Sequence, residues 1–592
     1  MSAEKETFPA AKVAGEDLVV LSVRNLHISV HQQSGVKPLV SGLSFDLRRG
    51  ETLAIAGESG SGKSLTSLAI MQLLPPPAVH VSGGEILFEG DDLTKLPEQK
   101  LQSLRGSRIA MIFQEPMTAL NPVMRIGDQL IEALRAHEPL SRAQSRTRAL
   151  AALRSVRLTE PEWRLRQYPH ELSGGMCQRV VIAMAIALRP DVLIADEPTT
   201  ALDVTVQRDV LDLLRDLSCE LGTALILITH DMGVVAEMAD RVLVMQAGVT
   251  VETAPVRDLF SSPQQPYTRT LLAAVPRMGK GRDAVAKPTG APLVSVRDLV
   301  VNYDLKGGIL GRTQSRVHAV EGVTFDISRG ETFALVGESG CGKSTIARAL
   351  TGLVPHHGII EFDGKILGAT LATRFATSRQ MQMVFQNPMA ALNGRLRVGD
   401  LVQEPLVIHG VGNRASRRAR AEELFARVGL APDALDRYPH EFSGGQRQRV
   451  CIARALALGP KLILADESVS ALDVSVQASV LDLLAQLKAE MGMSYLFISH
   501  DMAVVENIAD RVAVMFLGQI VETGSSAQIF GDPQHSYTRR LIEAVPHANP
   551  ARVLPRRTHH AYDPPSPIRK VGNPPVRLSF RAVASGHLVA VE

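Results

Sequence analysis

The sequence predicts an α/β fold built twice in tandem, each copy arranged around a largely parallel sheet, and three observations carry that reading. Blocks of the first half return in the second: GESGSGKS at residues 57–64 as GESGCGKS at 337–344, YPHELSGG at 168–175 as YPHEFSGG at 438–445, and ADEPTTALDVTVQ at 195–207 as ADESVSALDVSVQ at 465–477. Ser173, Asp196 and His230 recur at one constant offset as Ser443, Asp466 and His500, so the repeating unit is a whole domain rather than a solenoid turn. Short apolar runs also alternate with helical stretches in both halves, the order in which strands feed helices.

The elements follow the chain. Thr52–Ala56 and Thr332–Val336 are apolar strands that run into glycine loops, with helices expected from Lys63 and Lys343. Residues 192–195 and 462–465 are short buried strands, as are residues 224–229 and 494–499. The first domain is expected over 18–276 and the second over 293–546. Between them, residues 277–292 (RMGKGRDAVAKPTGAP) have the Gly, Pro, Ala and Lys content of a flexible linker. Residues 547–592 form a C-terminal extension holding Arg556, Arg557, His559, His560 and several prolines. It is expected to be solvated, with a cationic or metal-binding tail as the alternative.

At 592 residues the chain exceeds what a single core supports. The 64 basic residues are nearly balanced by 61 acidic ones, so no strongly basic face signals a nucleic-acid partner, and none is expected. Cys177, Cys219, Cys341 and Cys451 are scattered, which points away from a zinc cluster or a disulfide framework and suits a reduced cytosol. The first seventeen residues are polar and mixed in charge, unlike a secretory signal. The longest apolar run, residues 180–188, is far shorter than the roughly eighteen residues of a membrane span. If the protein works at a membrane, another component is expected to cross it.

The chemistry is concentrated in the repeated blocks. Gly57, Glu58, Ser59, Gly60, Ser61, Gly62, Lys63 and Ser64 match the P-loop pattern, as do Gly337, Glu338, Ser339, Gly340, Cys341, Gly342, Lys343 and Ser344. Glycines let backbone N–H groups turn toward a phosphate, and the helix that follows adds its partial positive charge. The lysine reaches the β- and γ-phosphates of a nucleotide, and the serine hydroxyl helps hold Mg²⁺. Downstream, an apolar strand ends in Asp196–Glu197, and again in Asp466–Glu467. The aspartate is placed to reach the metal shell and the glutamate to orient or deprotonate the attacking water. His230 and His500 occupy equivalent strand ends, which favours contact with the γ-phosphate.

Ser173, Gly174 and Gly175 after Leu172, and Ser443, Gly444, Gly445 and Gln446 after Phe442, resemble the signature of ATP-binding-cassette (ABC) ATPases. Gln114 and Gln386 resemble the Q-loop of that family, and the Ala-Leu-Asp runs at 201–203 and 471–473 its D-loop. The resemblance implies two P-loop nucleotide-binding domains of ABC type, each a RecA-like core with a helical and an antiparallel β subdomain. It also places Gln114 and Gln386 at the nucleotide and its metal. It further implies composite sites: Lys63, Ser64, Gln114, Asp196, Glu197 and His230 completed by Ser443 and Gly445, and the second set of residues completed by Ser173 and Gly175. Met176 departs from the usual glutamine of the signature. Tyr303 is a candidate to stack on adenine, for which the first half offers only His31. Cys341, beside Lys343 and a helix N-terminus, reads either as a thiol of lowered pKa open to redox control or as a small residue filling the loop.

Gln114-Glu115-Pro116-Met117 with Leu120-Asn121-Pro122, and Gln386-Asn387-Pro388-Met389 with Leu392-Asn393, look like the Q-loop extension of peptide-type importers. The repeated Tyr-Thr-Arg-x-Leu and Val-Pro tail at 267–276 and 537–546 is similar to the ends of dipeptide, oligopeptide and nickel importer ATPases. The fused arrangement is similar to that of glutathione-import ATPases. This implies an ATP-hydrolysing subunit peripheral to the cytoplasmic face of the inner membrane. Its partners would be two integral-membrane permeases and a periplasmic or extracellular binding protein. Twin-cassette translation factors carry a long charged helical linker, and repair ATPases carry cysteine clusters. Residues 277–292 and the scattered cysteines match neither.

Overall fold

The computed structural model describes residues 18–32, 35–200, 202–276, 278–279, 290–307, 312–367, 371–470, 472–552 and 568–591. The expected polar N-terminus, Ala201, Ala471, most of the 277–292 linker and residues 553–567 lie outside them. Among the described residues, one compact unit holds 18–202, 206–275 and 546–552, and the other holds 203–205, 276–545 and 568–591.

The first unit contains a six-stranded sheet in the order Val249–Pro255, Arg241–Gln246, Thr52–Ala56, Ala224–Thr229, Val192–Asp196, Ile109–Ile112. Neighbours run parallel except at the Val249–Pro255 edge. Ala224–Thr229 is buried throughout and Thr52–Ala56 in all but its first residue, which explains their near-continuous apolar runs: a parallel sheet covered on both faces leaves no polar side. A four-stranded antiparallel sheet, Gly35–Arg48, Val19–Gln32, Val79–Phe88 and Asp91–Asp92, packs Leu21, Ile28 and Leu43 into the same core as Leu53 and Ile55.

A helical layer completes the unit. Ser141 starts Arg142–Ser155 with a capping box to Gln144, satisfying two of the helix's orphan N–H groups. That helix and Ile126–His137 bury Leu130, Leu134 and Leu153 with Val180 of Gly174–Ile186. The last of these is the helix that the first signature opens.

The second unit repeats the plan. Its sheet runs Met381–Val384, Leu462–Asp466, Ser494–Ile498, Thr332–Val336, Arg511–Phe516, Gln519–Ser525 and then adds His587–Ala590 and Phe580–Ala584. Its antiparallel sheet gains Ile568–Lys570 on the strand Arg312–Ile327. Most of residues 568–591 are exposed, as expected of a solvated extension, but Ile568–Lys570 and the hairpin of residues 580–590 pair with the sheets, which was not expected. The hairpin turns at Gly586 (φ 76°) and pairs Val589 with Glu522. Val589, Ala590 and His587 are buried. Their burial, and the hydrogen bond of His587 Nε2 to Glu522 Oε1 at 2.7 Å, hold the hairpin on the sheet edge.

No helix among the described residues is long and apolar enough to cross a membrane.

Candidate functional site

In each unit the predicted chemistry gathers at the carboxyl ends of adjacent parallel strands, where an open α/β sheet leaves a crevice. In the first unit, strand Thr52–Ala56 ends at Gly57, whose φ of 151° and tight surroundings only glycine tolerates: a Cβ would lie 2.2 Å from the Met245 carbonyl. Ser59 and Gly60 are exposed at the loop tip, and Gly62 precedes helix Lys63–Ile70. Lys63 is buried, its Nζ donating to the carbonyls of Gly57 and Glu58 at 2.8 Å each. The loop thus holds its own lysine beside the helix N-terminus, ready for an anion.

Ser64 Oγ donates to Asp196 Oδ1 at 3.0 Å. Asp196 ends the strand Val192–Asp196, and burial pushes its carboxyl up to about 6 despite that hydrogen bond. A buried carboxylate beside a hydroxyl is a hard-oxygen donor pair that fits Mg²⁺, whose charge would offset what burial penalises.

Glu197, the next residue, has φ 46°, a left-handed conformation uncommon for glutamate. Its carboxylate receives three groups: Gln114 Nε2 at 2.9 Å and Thr200 Oγ1 at 2.8 Å on Oε2, and His230 Nδ1 at 3.1 Å from Oε1. Burial would raise its pKa, but the His230 and Thr200 hydrogen bonds outweigh it and bring the group down to about 2. The same contact raises the His230 pKa. Six predicted residues, Lys63, Ser64, Gln114, Asp196, Glu197 and His230, are thereby brought to one strand-end cluster.

The second unit repeats this with differences. Lys343 Nζ donates to the carbonyls of Gly337 at 2.7 Å and Glu338 at 2.9 Å, and Ser344 Oγ to Asp466 Oδ1 at 2.7 Å. Burial raises Asp466 as it does Asp196. Gln386 Nε2 donates to Glu467 Oε2 at 2.7 Å, and His500 Nδ1 stands 3.5 Å from the same oxygen. Glu467, again left-handed at φ 44°, is pulled below its ordinary range against the opposing effect of burial. Ser470, the counterpart of Thr200, donates instead to the Glu467 backbone carbonyl at 2.9 Å. Cys341 is buried, and burial raises its thiol pKa more than nearby Lys343 lowers it, which overturns the lowered-pKa reading and leaves the loop-filling one.

The signatures stand at other helix starts within their units. Ser173 and Ser443 each cap a helix through a 3.3 Å bond from the N–H three residues on. Gln446 returns the bond by accepting from the Ser443 N–H at 3.0 Å, whereas Met176 gives Ser173 no such capping box. Gly175 and Gly445 pack so closely that a Cβ would lie 2.4 Å from Val206 Cγ1 and 2.2 Å from Val476 Cγ1. Tyr303 is exposed, and His31 stacks on His80 with centroids 4.6 Å apart.

Three site residues were missed in the sequence. Thr200 clamps the first glutamate, and the Tyr267 and Tyr537 hydroxyls accept from the Glu58 and Glu338 N–H groups at 3.4 and 3.0 Å. Thr200 sits inside the ADEPTT block and could have been found there. The tyrosines lie in the repeated tail, far from the P-loops in sequence, where recurrence was their only signal.

Comparison with known proteins gives consistent results. The family described as "ABC transporter" matches at residues 40–200 and 320–470. The family described as "Oligopeptide/dipeptide transporter, C-terminal region" matches at 251–299 and 521–568, taking in both copies of the repeated tail. The glutathione import ATP-binding protein of Pectobacterium atrosepticum is 49% identical over 604 residues, with 96% of each chain covered. Its counterpart in Escherichia coli O6:H1 is 50% identical over 601 residues, again with 96% of each covered.

Proposed function

The chain belongs to the ABC transporter family, and on that premise we propose that it is the ATP-hydrolysing subunit of an importer for peptide-like cargo: glutathione, a dipeptide or an oligopeptide. The observation that carries the cargo class is the oligopeptide/dipeptide C-terminal region, matched once behind each cassette. Likeness along nearly the whole chain to glutathione import ATP-binding proteins supports glutathione within that class. The proposed partners are two membrane-spanning permease subunits and an extracytoplasmic binding protein, with the cassettes held on the cytoplasmic face of the inner membrane.

The chain's residues suggest the mechanism. Lys63 and Lys343 exchange loop carbonyls for the β- and γ-phosphates of ATP. Ser64 with Asp196, and Ser344 with Asp466, would hold Mg²⁺, which neutralises phosphate charge. Glu197 and Glu467 accept a proton from the attacking water, while Gln114, Gln386, His230 and His500 fix the direction of those carboxylates. We assign Ser443 and Gly445 to the nucleotide of the first cassette and Ser173 and Gly175 to that of the second. In this reading ATP binds the closed state of the motor better than the open one, and hydrolysis removes that preference.

The test is uptake of labelled glutathione and of a labelled dipeptide by cells lacking this chain. Uptake of one of them should return with the wild-type chain and not with the Glu197→Gln/Glu467→Gln double variant. Equal uptake with and without the chain would reject the importer reading.

A further inference from the structure

The Tyr-Thr-Arg tail that follows each cassette is fastened to the P-loop of that cassette. Both tyrosines, Tyr267 and Tyr537, lie inside the matched oligopeptide/dipeptide C-terminal region. In the second unit, Tyr537 stands in the first turn of the helix Ser536–Ala544 and is 4% exposed. Its hydroxyl accepts the Glu338 N–H at 3.0 Å. Glu338 is the second residue of the P-loop. It follows Gly337, where a φ of 145° and the nearby Met515 carbonyl set the loop's first turn.

The tyrosine is itself held in place. Phe516 packs against its ring with centroids 4.4 Å apart, and the Arg540 guanidinium lies over the ring, 5.2 Å from its centroid. Glu522 fixes the entry to the helix by accepting the Gln534 and His535 N–H groups. The first unit repeats the device. Glu252 accepts the Gln264 and Gln265 N–H groups at 2.9 and 3.1 Å, and the Tyr267 hydroxyl accepts the Glu58 N–H at a longer 3.4 Å. Packing alone would be served by phenylalanine. A hydroxyl brought twice to the equivalent backbone N–H satisfies a donor that is costly to bury unpaired, and it ties down the start of the loop.

We propose that Tyr537 and Tyr267 are positioning residues for nucleotide binding, each holding its P-loop ready for phosphate, with Tyr537 the stronger of the two. This rests on the reading of both P-loops as nucleotide loops. It gives the repeated tail a task in the motor. A loop shaped in advance spends less binding energy on its own ordering. The phosphates it cradles are shared by ATP and ADP, so both should lose affinity together when the hydroxyl is removed.

The probes are ATP and ADP carrying a fluorescent N-methylanthraniloyl group, titrated into the full chain. A Lys63→Ala background leaves the second site to be read alone. There Tyr537→Phe, which keeps the ring and its packing, should weaken both nucleotides roughly two- to tenfold. In the otherwise wild-type chain it should raise KM for ATP by more than it lowers kcat. In a Lys343→Ala background, Tyr267→Phe should cost less affinity than Tyr537→Phe does. The proposal is overturned if Tyr537→Phe lowers the nucleotide-free melting midpoint and leaves both affinities unchanged, or if kcat falls with KM unaltered. An equal or larger loss from Tyr267→Phe overturns the ranking of the two. Absence of saturable ATP binding by wild type would instead reject the nucleotide-loop reading, and the tyrosines' role with it.

Discussion

The Nδ1 of His230 lies 3.1 Å from the Oε1 of Glu197. This contact joins two strand ends and aims a carboxylate held in a left-handed backbone conformation, φ 46°. Gln114 and Thr200 bind the other oxygen, so the carboxylate has little rotational freedom left. An oriented carboxylate is what water activation needs, and the amide of glutamine keeps the shape while losing the basic oxygen. Glu197→Gln combined with Glu467→Gln should lower ATP turnover by about 10²–10⁴-fold with ATP affinity retained. Steady-state hydrolysis and equilibrium nucleotide binding check this; unchanged turnover would remove both glutamates from the role.

The His230 contact also has a pH signature. Its hydrogen bond to Glu197 raises the imidazole above its ordinary value of 6.5. A raised histidine contributes stability that is full below the unfolded value and is lost as pH rises through the folded one. The melting midpoint of wild type should therefore exceed that of His230→Ala most below the ordinary imidazole value of 6.5, with the gap narrowing as pH rises above it. A gap that widens with pH would show the histidine acting through packing alone.

Asp196 behaves in the opposite sense. Burial raises its carboxyl from 3.8 to about 6, so the fold prefers it protonated, and the cost of ionising it grows between those values and is complete above them. That cost is on the order of 3 kcal/mol. Without nucleotide or metal, Asp196→Asn should melt higher than wild type at about pH 8 and nearly equal to it at about pH 4. It should also lose most Mg²⁺-dependent hydrolysis, because an amide is a poorer ligand for a hard cation. Paired melts at the two pH values decide it: a variant less stable than wild type at high pH contradicts the burial argument.

The fold and most of the cluster were legible because their physics is local. Thr52–Ala56 and Thr332–Val336 announce themselves as buried strands, and the glycines that follow are required by φ angles that Gly57 and Gly337 adopt. Family resemblance then supplied Gln114 and Gln386, which no local pattern would have selected. Residues whose role depends on distant partners stayed hidden. Tyr537 reaches the Glu338 N–H from a separate helix, and Thr200 turns to its glutamate where Ser470 turns to the backbone. The strand pairing of the C-terminal hairpin was missed because the prolines and basic residues before it dominate the composition. The alternation in 580–590 around Ser585-Gly586, a turn between apolar residues, was the available signal.

Burial also decides the chemistry of the thiols. Cys219 is exposed, whereas Cys177, Cys341 and Cys451 are buried. Burial raises Cys177 to about 11 and Cys451 to about 12, and it raises Cys341 as well. Thiolate is the reactive form, so brief iodoacetamide treatment of the folded chain at about pH 7.5 should label Cys219 alone. ATP turnover should survive mild oxidant. Peptide mass spectrometry reads the labelling, and early modification of Cys341 would reopen a redox role for that P-loop.

Glu522 is fully buried on the strand that the C-terminal hairpin extends. Its carboxylate accepts from the Gln534 and His535 N–H groups at 2.8 and 3.0 Å, and His587 Nε2 stands 2.7 Å from it. Removing the imidazole leaves a buried carboxylate short of one partner and frees the hairpin from the sheet edge. His587→Ala should therefore destabilise the second cassette by about 1–3 kcal/mol. Deleting residues 568–592 should cost more and expose Gln519–Ser525 as an edge, with aggregation following on heating. Urea unfolding and light scattering test the pair. A deletion that melts like wild type and stays dispersed would make the hairpin an ornament of the fold rather than part of its second domain.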